Sequence, residues 1–259
     1  MKETILEVKN LTIRFGGITA VDNVDIKAAK GEITSVIGPN GAGKTTLFNM
    51  ISGIYKPTSG TVQFDGRDIT GKPTHVISKE GIARTFQNIR LYQGLTVVEN
   101  VQAVLDARTD YNIVQALLGL PSVRRKDREN IEKSIEFLKI VGLYDLRNEK
   151  PANLPYGLQR KLEIARALAT TPKLLLLDEP GAGLNTTEVD ELIELVQKVK
   201  EQFEISVLLI EHRIQMVNTL SDKVYVLNFG ELLAEGTPKE IQNNEHVIAA
   251  YMGEDDQDE

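Results

Sequence analysis

The spacing of apolar residues changes twice along the chain, and each change predicts a different kind of structure. Over residues 4–100, stretches of alternating apolar and polar positions predict short strands, interrupted by one helix over Leu47–Ile51. Turns between these strands are predicted at Gly16-Gly17, Gly31, Ser59-Gly60 and Gly71. The first part of the chain is therefore expected to consist mainly of β-strands.

Residues 97–150 lack such turn residues and carry apolar side chains at helical spacing, as in Ile131, Ile135, Leu138 and Val141. Helices are predicted over Val97–Arg108, Tyr111–Gly119 and Asp127–Val141. This change of pattern predicts a helical lobe inserted into the chain.

Beyond Leu158, helical spacing and short apolar runs alternate. The predicted elements are a helix ending at Ala169, a strand over Leu174–Leu177, a helix over Glu188–Phe203, a strand over Ser206–Ile210 and a helix over Ile214–Leu220. Strands that alternate with helices form a parallel sheet with helices on its faces. The expected fold class is therefore α/β.

Composition narrows the function classes without deciding between one large domain and two smaller ones. The chain has 259 residues, and the 41% that are apolar are enough for a substantial core. Because it has no cysteine, disulfides and thiolate metal sites are excluded, and a net charge of −7 argues against broad nucleic-acid binding. Its apolar runs are too short to span a bilayer, and its first residues lack a signal-peptide pattern. A soluble chain in a reducing cytoplasm is expected, with a disordered acidic end over Glu254–Glu259.

A motif that follows the apolar run Ile33–Ile37 predicts a phosphate-binding loop. Its residues are Gly38, Pro39, Asn40, Gly41, Ala42, Gly43, Lys44, Thr45 and Thr46. Glycines let the backbone wrap a polyphosphate with its N–H groups pointing inward, and the following helix adds its positive N-terminal end. Lys44 is expected to contact the β- and γ-phosphates of ATP, and the Thr45 hydroxyl to hold Mg²⁺. The alternative, a glycine-rich turn with a surface lysine, explains neither the full pattern nor its flanks.

Two acids follow the apolar run Leu174–Leu177 and are predicted to complete the site. Asp178 is expected to contact Mg²⁺, usually through water, and Glu179 to polarise the attacking water as general base. Both carboxylates can approach one phosphate only if the strand finishes there, as Pro180 favours. His212, just beyond the next strand, is a candidate contact to the γ-phosphate. The alternatives are a structural ion pair at the strand end and a structural histidine.

With these motifs, the chain resembles the nucleotide-binding subunit of an ATP-binding cassette (ABC) transporter over nearly its whole length. The resemblance implies a single ATPase domain. Its P-loop NTPase core would occupy residues 1–96 and 165–250 and include an antiparallel β subdomain. A helical lobe would occupy 97–164, and an acidic tail 251–259.

The resemblance also implies that Phe15 stacks on adenine. The alternative is that Phe15 belongs to the hydrophobic core. Gln87, in Arg84-Thr85-Phe86-Gln87, resembles the glutamine that joins the two lobes and senses Mg²⁺ and the nucleophilic water.

Two further segments resemble family motifs that act on a second subunit. Leu154–Arg160, with Gly157 and Gln159, resembles the signature at a helix N-terminus that faces ATP held by the opposite subunit. Gly181–Asn185 occupies the place of the loop that crosses to that subunit. Most of the family has serine, glycine and glutamine where this chain has Pro155, Tyr156 and Leu158, and aspartate where it has Asn185. These departures predict a modestly weaker contribution to the partner's ATP site.

Details of these motifs narrow the resemblance to the larger ATPase subunit of branched-chain amino-acid importers. They are Tyr156 before the signature glycine, the sequence of Glu179–Asn185, Arg84–Gln87, and Ala250-Tyr251-Met252-Gly253 near the end. The implied partners are two transmembrane permease subunits, a second ATPase subunit packed head to tail, and indirectly a solute-binding protein. The implied location is the cytoplasmic face of the inner membrane.

Other functions stay open at this point. An importer of urea or amides, or a lipopolysaccharide transporter, has a similar ATPase. An ATP-driven DNA-repair, chromosome or ribosome factor usually carries a long coiled coil or two cassettes, and neither pattern is visible, so no nucleic-acid partner is expected. The basic run Arg124–Arg128 is predicted to be a solvated helix start.

The permease is predicted to dock beside Ile89, Leu91, Tyr92 and Leu95. The alternative is that these residues form the core of the helical lobe. His75 and His246 are predicted to be ordinary surface or packing residues.

Overall fold

The computed structural model describes residues 2–108 and 121–255, and these residues contain ten strands, nine α-helices and two short 3₁₀ helices, Tyr144–Leu146 and Pro151–Asn153. The strands are β1 (Thr4–Phe15), β2 (Ile18–Ala29), β3 (Ile33–Ile37), β4 (Ser59–Phe64), β5 (Arg67–Asp68), β6 (Ile82–Arg84), β7 (Leu174–Asp178), β8 (Ser206–Ile210), β9 (Lys223–Asn228) and β10 (Glu231–Gly236). The helices are α1 (Lys44–Ile51), α2 (Thr74–Glu80), α3 (Val97–Arg108), α4 (Pro121–Ile140), α5 (Tyr156–Leu168), α6 (Thr186–Phe203), α7 (Ile214–Leu220), α8 (Pro238–Gln242) and α9 (Glu245–Asp255). The predicted helix over Tyr111–Gly119 lies outside the described residues.

Four of the strands form an antiparallel sheet in the order β2-β1-β4-β5. The prediction of short strands was wrong for β1 and β2, which run for 12 residues each. The turn predicted at Ser59-Gly60 was also wrong, because these residues begin β4 and pair with β1. Gly60 is required by packing: a Cβ there would lie 2.3 Å from the carbonyl oxygen of Asn10. Helix α2 was not predicted.

The other six strands form a sheet in the order β10-β9-β3-β8-β7-β6. The pairs from β9 to β6 are parallel, and only β10 runs antiparallel to its neighbour. This confirms the predicted α/β fold with a mostly parallel sheet and a separate antiparallel sheet. Every residue of β7 and β8 is buried, which explains their continuous apolar runs. The carboxyl ends of the parallel strands meet at one edge, where the loops after β3, β7 and β8 begin.

The chain divides into two compact units, of which the first contains both sheets. It comprises the chain up to Gln87, Lys173–Ala182, and the chain from Val189 onward. One hydrophobic core joins side chains from both sheets and from α1, among them Leu6, Phe48 and Leu208. Burying a side chain of this size contributes roughly 1.5–3 kcal/mol. Tyr225 of β9 links the sheets by donating to Lys27 O at 3.1 Å and accepting from Lys27 N at 2.9 Å.

The second unit comprises residues 88–172 and 183–188 and is helical. In it, α3 packs against α4 and α5, and the buried side chains include Val97, Val101, Leu138 and Leu162. The bounds of α3 are those predicted, whereas α4 begins six residues before the predicted Asp127. The basic residues Arg124–Arg128 therefore lie inside α4 and not at its start. The lobe boundaries at 97 and 164 stay a prediction.

The C-terminal segment of the described chain is helical, with α9 extending from Glu245 to Asp255. The prediction of a disordered end from Glu254 was therefore wrong for its first two residues, and residues 256–259 lie outside the described part. Within the described residues, no helix combines the length and the apolar character that crossing a membrane requires.

Candidate nucleotide site

The predicted phosphate loop connects β3 to α1 and contains three glycines with positive φ. Gly38, Gly41 and Gly43 have φ values of 147°, 75° and 96°. At Gly38 no side chain would fit, since a Cβ would lie 2.0 Å from the carbonyl oxygen of Leu227. The loop can therefore follow this path only with glycine at its start, and α1 begins directly after it at Lys44.

Lys44 is buried, and its Nζ donates to the carbonyl oxygens of Gly38 and Pro39 at 2.7 Å each. These bonds hold the ammonium inside the loop and exclude the surface-lysine alternative. The loop thus brings together the Lys44 ammonium, its own N–H groups and the N-terminal end of α1. This combination favours a polyphosphate anion.

A cavity of about 310 Å³ lies beside the loop. Of the predicted site residues, those that line it are Asn40, Gly41, Ala42, Gly43, Lys44, Thr45, Thr46, Gln87, Glu179 and His212, and Ala20 joins them. Residues from four separate positions in the chain therefore converge here. The sheet topology is the cause, because β3, β7 and β8 are neighbours and all end at the same edge.

Glu179 has a left-handed backbone conformation, with φ 46°. This conformation is uncommon for a residue with a side chain, and it persists only where the surrounding structure holds the backbone in place. Strand β7 ends at Asp178, and the Glu179 N–H donates to the carbonyl oxygen of Ile210 at 2.9 Å. The turn in the backbone directs the Glu179 side chain into the cavity, as the sequence argument about a strand end required.

The Glu179 carboxylate is held through both of its oxygens. Gln87 Nε2 donates to Oε2 at 2.7 Å, and His212 Nε2 lies 2.8 Å from Oε1. A carboxylate fixed in this way keeps one orientation, which suits a general base. Of the three residues predicted to act in catalysis, Gln87 and His212 thus each contact the third, Glu179.

Asp178 is buried and forms an ion pair with Arg84, whose Nη2 lies 2.7 Å from Oδ2. Arg84 also donates from Nη1 to Asn49 Oδ1 and Ser52 Oγ, each at 2.8 Å. The sequence analysis named Arg84 as part of the motif around Gln87 but assigned it no role. The ion pair that was weighed as the alternative for Asp178 is therefore present, and it ties β7 to β6 and α1.

Phe15 is 45% exposed and contacts Tyr55 edge to face, with ring centroids 5.3 Å apart. The alternative of a core phenylalanine is therefore wrong. Tyr55, which the sequence did not indicate, supports the exposed ring from one side. Phe15 is absent from the lining of the cavity described above, so its contact with adenine stays a prediction.

The signature residues lie in the second unit. Gly157 is buried in the first turn of α5, and Gln159 Nε2 donates to the carbonyl oxygen of Leu154 at 2.9 Å. Arg160 is fully buried, pairs with Glu163 at 2.6 Å and donates to the Tyr156 hydroxyl at 3.2 Å. Tyr156, one of the three signature residues that depart from the family pattern, is thus fixed by the helix that it begins.

Asn185 of the predicted crossing loop serves as the N-cap of α6. Its Oδ1 accepts from Glu188 N, and its own N–H donates to Glu188 Oε2, both at 3.0 Å. This reciprocal arrangement is a capping box, for which asparagine is as suitable as aspartate. The departure at this position therefore has a local structural explanation.

The predicted docking residues belong to the second unit, and none of them is fully buried. Ile89, Leu91 and Leu95 are partly exposed, and Tyr92 is 52% exposed with the Arg166 guanidinium 4.6 Å from its ring centroid. The lobe-core alternative is therefore not supported. His75 and His246 are exposed, as predicted.

A parallel sheet with a phosphate loop after β3 and two acids at the end of β7 defines the class: a P-loop nucleotide-binding protein. Comparison with known proteins gives the family. The family model for the ABC transporter matches residues 21–182, and the model for the branched-chain amino acid ATP-binding cassette transporter matches residues 231–257. The chain belongs to the ABC transporter family and is an ATPase of the kind that powers transport.

Relatives match nearly the whole chain. It is 45% identical to the high-affinity branched-chain amino acid transport ATP-binding protein BraF of Pseudomonas aeruginosa, over 98% of this chain and 100% of the relative. It is 44% identical, with the same coverage, to LivG of Escherichia coli, a protein with the same description.

Solved structures that resemble this chain belong to the same family. The ADP conformation of an ATP-binding cassette of an ABC transporter has a TM-score of 0.85 at 34% identity, covering 97% of this chain and 100% of that one. A dimeric bacterial ABC transporter cassette has a TM-score of 0.76 at 28% identity, covering 90% and 99%.

Proposed function

We propose that this chain hydrolyses ATP to drive the import of branched-chain amino acids, as one of two ATPase subunits of a membrane transporter. The observation that carries the proposal is the convergence of the phosphate loop, Gln87, Glu179 and His212 on one cavity. The match of residues 231–257 to the branched-chain family model supports the cargo. Lipopolysaccharide transport has weaker support: the chain is 35% identical to the lipopolysaccharide export ATP-binding protein LptB of Escherichia coli, against 44–45% for the branched-chain relatives.

ATP binds with its phosphates in the loop over Gly38–Thr46. The loop N–H groups and the Lys44 ammonium compensate the phosphate charge, and charge-assisted hydrogen bonds of this kind contribute about 1.5–3 kcal/mol each. Phe15, partly exposed and supported by Tyr55, stacks on the adenine ring. Phosphate and base are then recognised by different parts of the first unit.

The donor set suits magnesium, which prefers oxygen ligands and keeps several waters. The Thr45 hydroxyl and the Gln87 amide oxygen, which line the cavity, would hold it together with phosphate oxygens. Asp178 is buried against Arg84 and does not line the cavity, so its carboxylate would act through water. Among the described residues, no cluster of three or more His, Cys, Asp and Glu side chains is suited to a metal. Bound magnesium would neutralise charge on the phosphates.

Glu179 accepts a proton from the water that attacks the γ-phosphate. Its hydrogen bonds to Gln87 and His212 keep the carboxylate oriented toward the cavity. His212 contacts the γ-phosphate and thereby reports its presence to the base. General-base catalysis of this type contributes typically about 10²–10⁴ to a rate.

A second ATPase subunit, a related chain or another copy, packs head to tail and completes each ATP site with its own signature. In this chain, Gly157 and the N-terminal end of α5 would face the partner's γ-phosphate. Because these contacts exist only while the γ-phosphate is attached, ATP holds the subunits together until hydrolysis.

Two permease subunits dock beside Ile89, Leu91, Tyr92 and Leu95 and place the chain on the cytoplasmic face of the membrane. A solute-binding protein supplies the cargo indirectly. No contact with nucleic acid is part of the proposal.

The test is transport by the reconstituted complex. The chain is purified from membranes with the proteins that accompany it and placed in liposomes that contain ATP. Uptake of labelled leucine, isoleucine and valine is compared with uptake of urea. We expect leucine uptake that depends on internal ATP and is lost in Glu179→Gln. Uptake of urea alone would refute branched-chain amino acids as the cargo. Uptake without ATP would refute the coupling of transport to ATP hydrolysis.

A further inference from the structure

Glu211 is a buried carboxylate that the proposed chemistry does not use. It is 2% exposed and lies between β8 and His212. Its Oε1 accepts from the Gly181 N–H at 2.7 Å, and its Oε2 accepts from the N–H groups of His212 and Arg213 at 2.8 and 3.0 Å. One side chain therefore binds backbone donors of two loops, the loop after Glu179 and the loop that carries His212.

The surroundings of Glu211 strengthen these bonds. It faces a mostly apolar cavity of about 280 Å³ whose lining includes Val217, Val224 and Ile241. In apolar surroundings a carboxylate is costly unless it is hydrogen-bonded, and each hydrogen bond is stronger than in water. Moving either loop would break bonds that water could not readily replace.

The absence of a side chain at Gly181 leaves room for this carboxylate. A Cβ at position 181 would lie 2.5 Å from Glu211 Oε1, so the carboxylate occupies the space of the missing side chain. Gly181 lies within a turn closed by the bond from Ala182 N to Glu179 O at 3.1 Å. The position of this turn relative to the His212 loop is therefore set by Glu211.

We propose that Glu211 is a positioning residue for ATP hydrolysis, which holds Glu179 and His212 at hydrogen-bonding distance. It contacts neither nucleotide nor water in this role and acts only through the two loops. The inference rests on the proposed function, in which Glu179 and His212 act at the γ-phosphate.

The first test is Glu211→Gln, which keeps the shape but directs an NH₂ group at one set of backbone donors. Loss of charge-assisted bonds lowers hydrolysis by about 10- to 100-fold, while ATP affinity changes less than about twofold. The matched control is Glu240→Gln, since Glu240 also accepts from a backbone N–H, that of Thr237 at 2.7 Å, within a capping box. The control keeps the wild-type rate.

The second test reads the histidine directly and needs no nucleotide. The chain has three histidines, and ¹⁵N NMR of the labelled protein resolves His212 from the exposed His75 and His246. In Glu211→Gln, the His212 ring signals move toward those of Glu179→Gln, while the other two stay in place. Gly181→Ala, which displaces the carboxylate, gives the same shift.

The outcomes separate the two proposals. A slow Glu211→Gln enzyme with unchanged His212 signals and a lowered Tm would overturn the positioning role and leave only a structural one. Wild-type activity in Glu211→Gln would overturn it as well. A reconstituted complex that contains the wild-type chain but lacks ATPase activity would refute the proposed function, whereas the NMR comparison would still test the link from Glu211 to His212.

Discussion

His212 Nε2 lies 2.8 Å from Glu179 Oε1, although the two residues are 33 positions apart in the chain. Which of the two atoms donates depends on the tautomer of the His212 ring. The pair exists because β7 and β8 are parallel neighbours, with Asp178 opposite Ile210 at their ends. The register of two strands thus decides which groups meet at the cavity.

Lys44→Ala is expected to weaken ATP binding by about tenfold or more, since a phosphate loses its buried cationic partner. Isothermal titration of nucleotide measures the change. Lys27→Ala serves as the control because Lys27 is exposed and pairs with Glu7 at the surface. Equal affinities in Lys44→Ala and wild type would reject the phosphate-loop assignment.

Glu179→Gln is expected to retain ATP binding and to lower hydrolysis by about 10²–10⁴, the range for loss of a general base. Because the nucleotide then persists, the variant should dimerise when ATP is added, with a related subunit or with itself. Single-turnover kinetics and light scattering measure the two effects. A normal rate would mean that another group activates the water.

Arg84→Met is expected to destabilise the fold by about 3–5 kcal/mol, because it removes the cation that pairs with the buried Asp178 carboxylate. Urea unfolding measures the loss. Arg67→Met is the matched control: Arg67 also pairs with a carboxylate, Glu80 at 2.8 Å, but is mostly exposed. An exposed pair contributes only about 0–1 kcal/mol, so similar losses in both variants would contradict this account.

Phe15→Ala is expected to lower affinity for ATP while leaving affinity for tripolyphosphate unchanged. Stacking on a base contributes about 1–3 kcal/mol, and only ATP has a base to lose. Tyr55→Ala should give a smaller loss, since Tyr55 supports the Phe15 ring from its edge. If Phe15→Ala weakens both ligands equally, the residue shapes the loop and does not recognise adenine.

Much of the fold could be predicted because its signals are local. The bounds of α3, α7 and β8 follow from apolar periodicity, and the phosphate loop from a motif between a strand and a helix. The element boundaries that were predicted wrongly depend on pairing with strands that are distant in the sequence. Strand β1 continues through Asn10 at φ 47° because it pairs with both β2 and β4, which no local pattern records.

By itself, the sequence determined the family and the phosphate loop, and it named every residue that lines the cavity except Ala20. Tertiary structure decided which residues meet: Arg84 with Asp178, Gln87 and His212 with Glu179, and Glu211 with Gly181. The physical reason is that hydrophobic spacing specifies a strand and its faces but not its neighbours. The order β8-β7-β6 arises only when the strands pack, and that order brings these side chains within hydrogen-bonding distance.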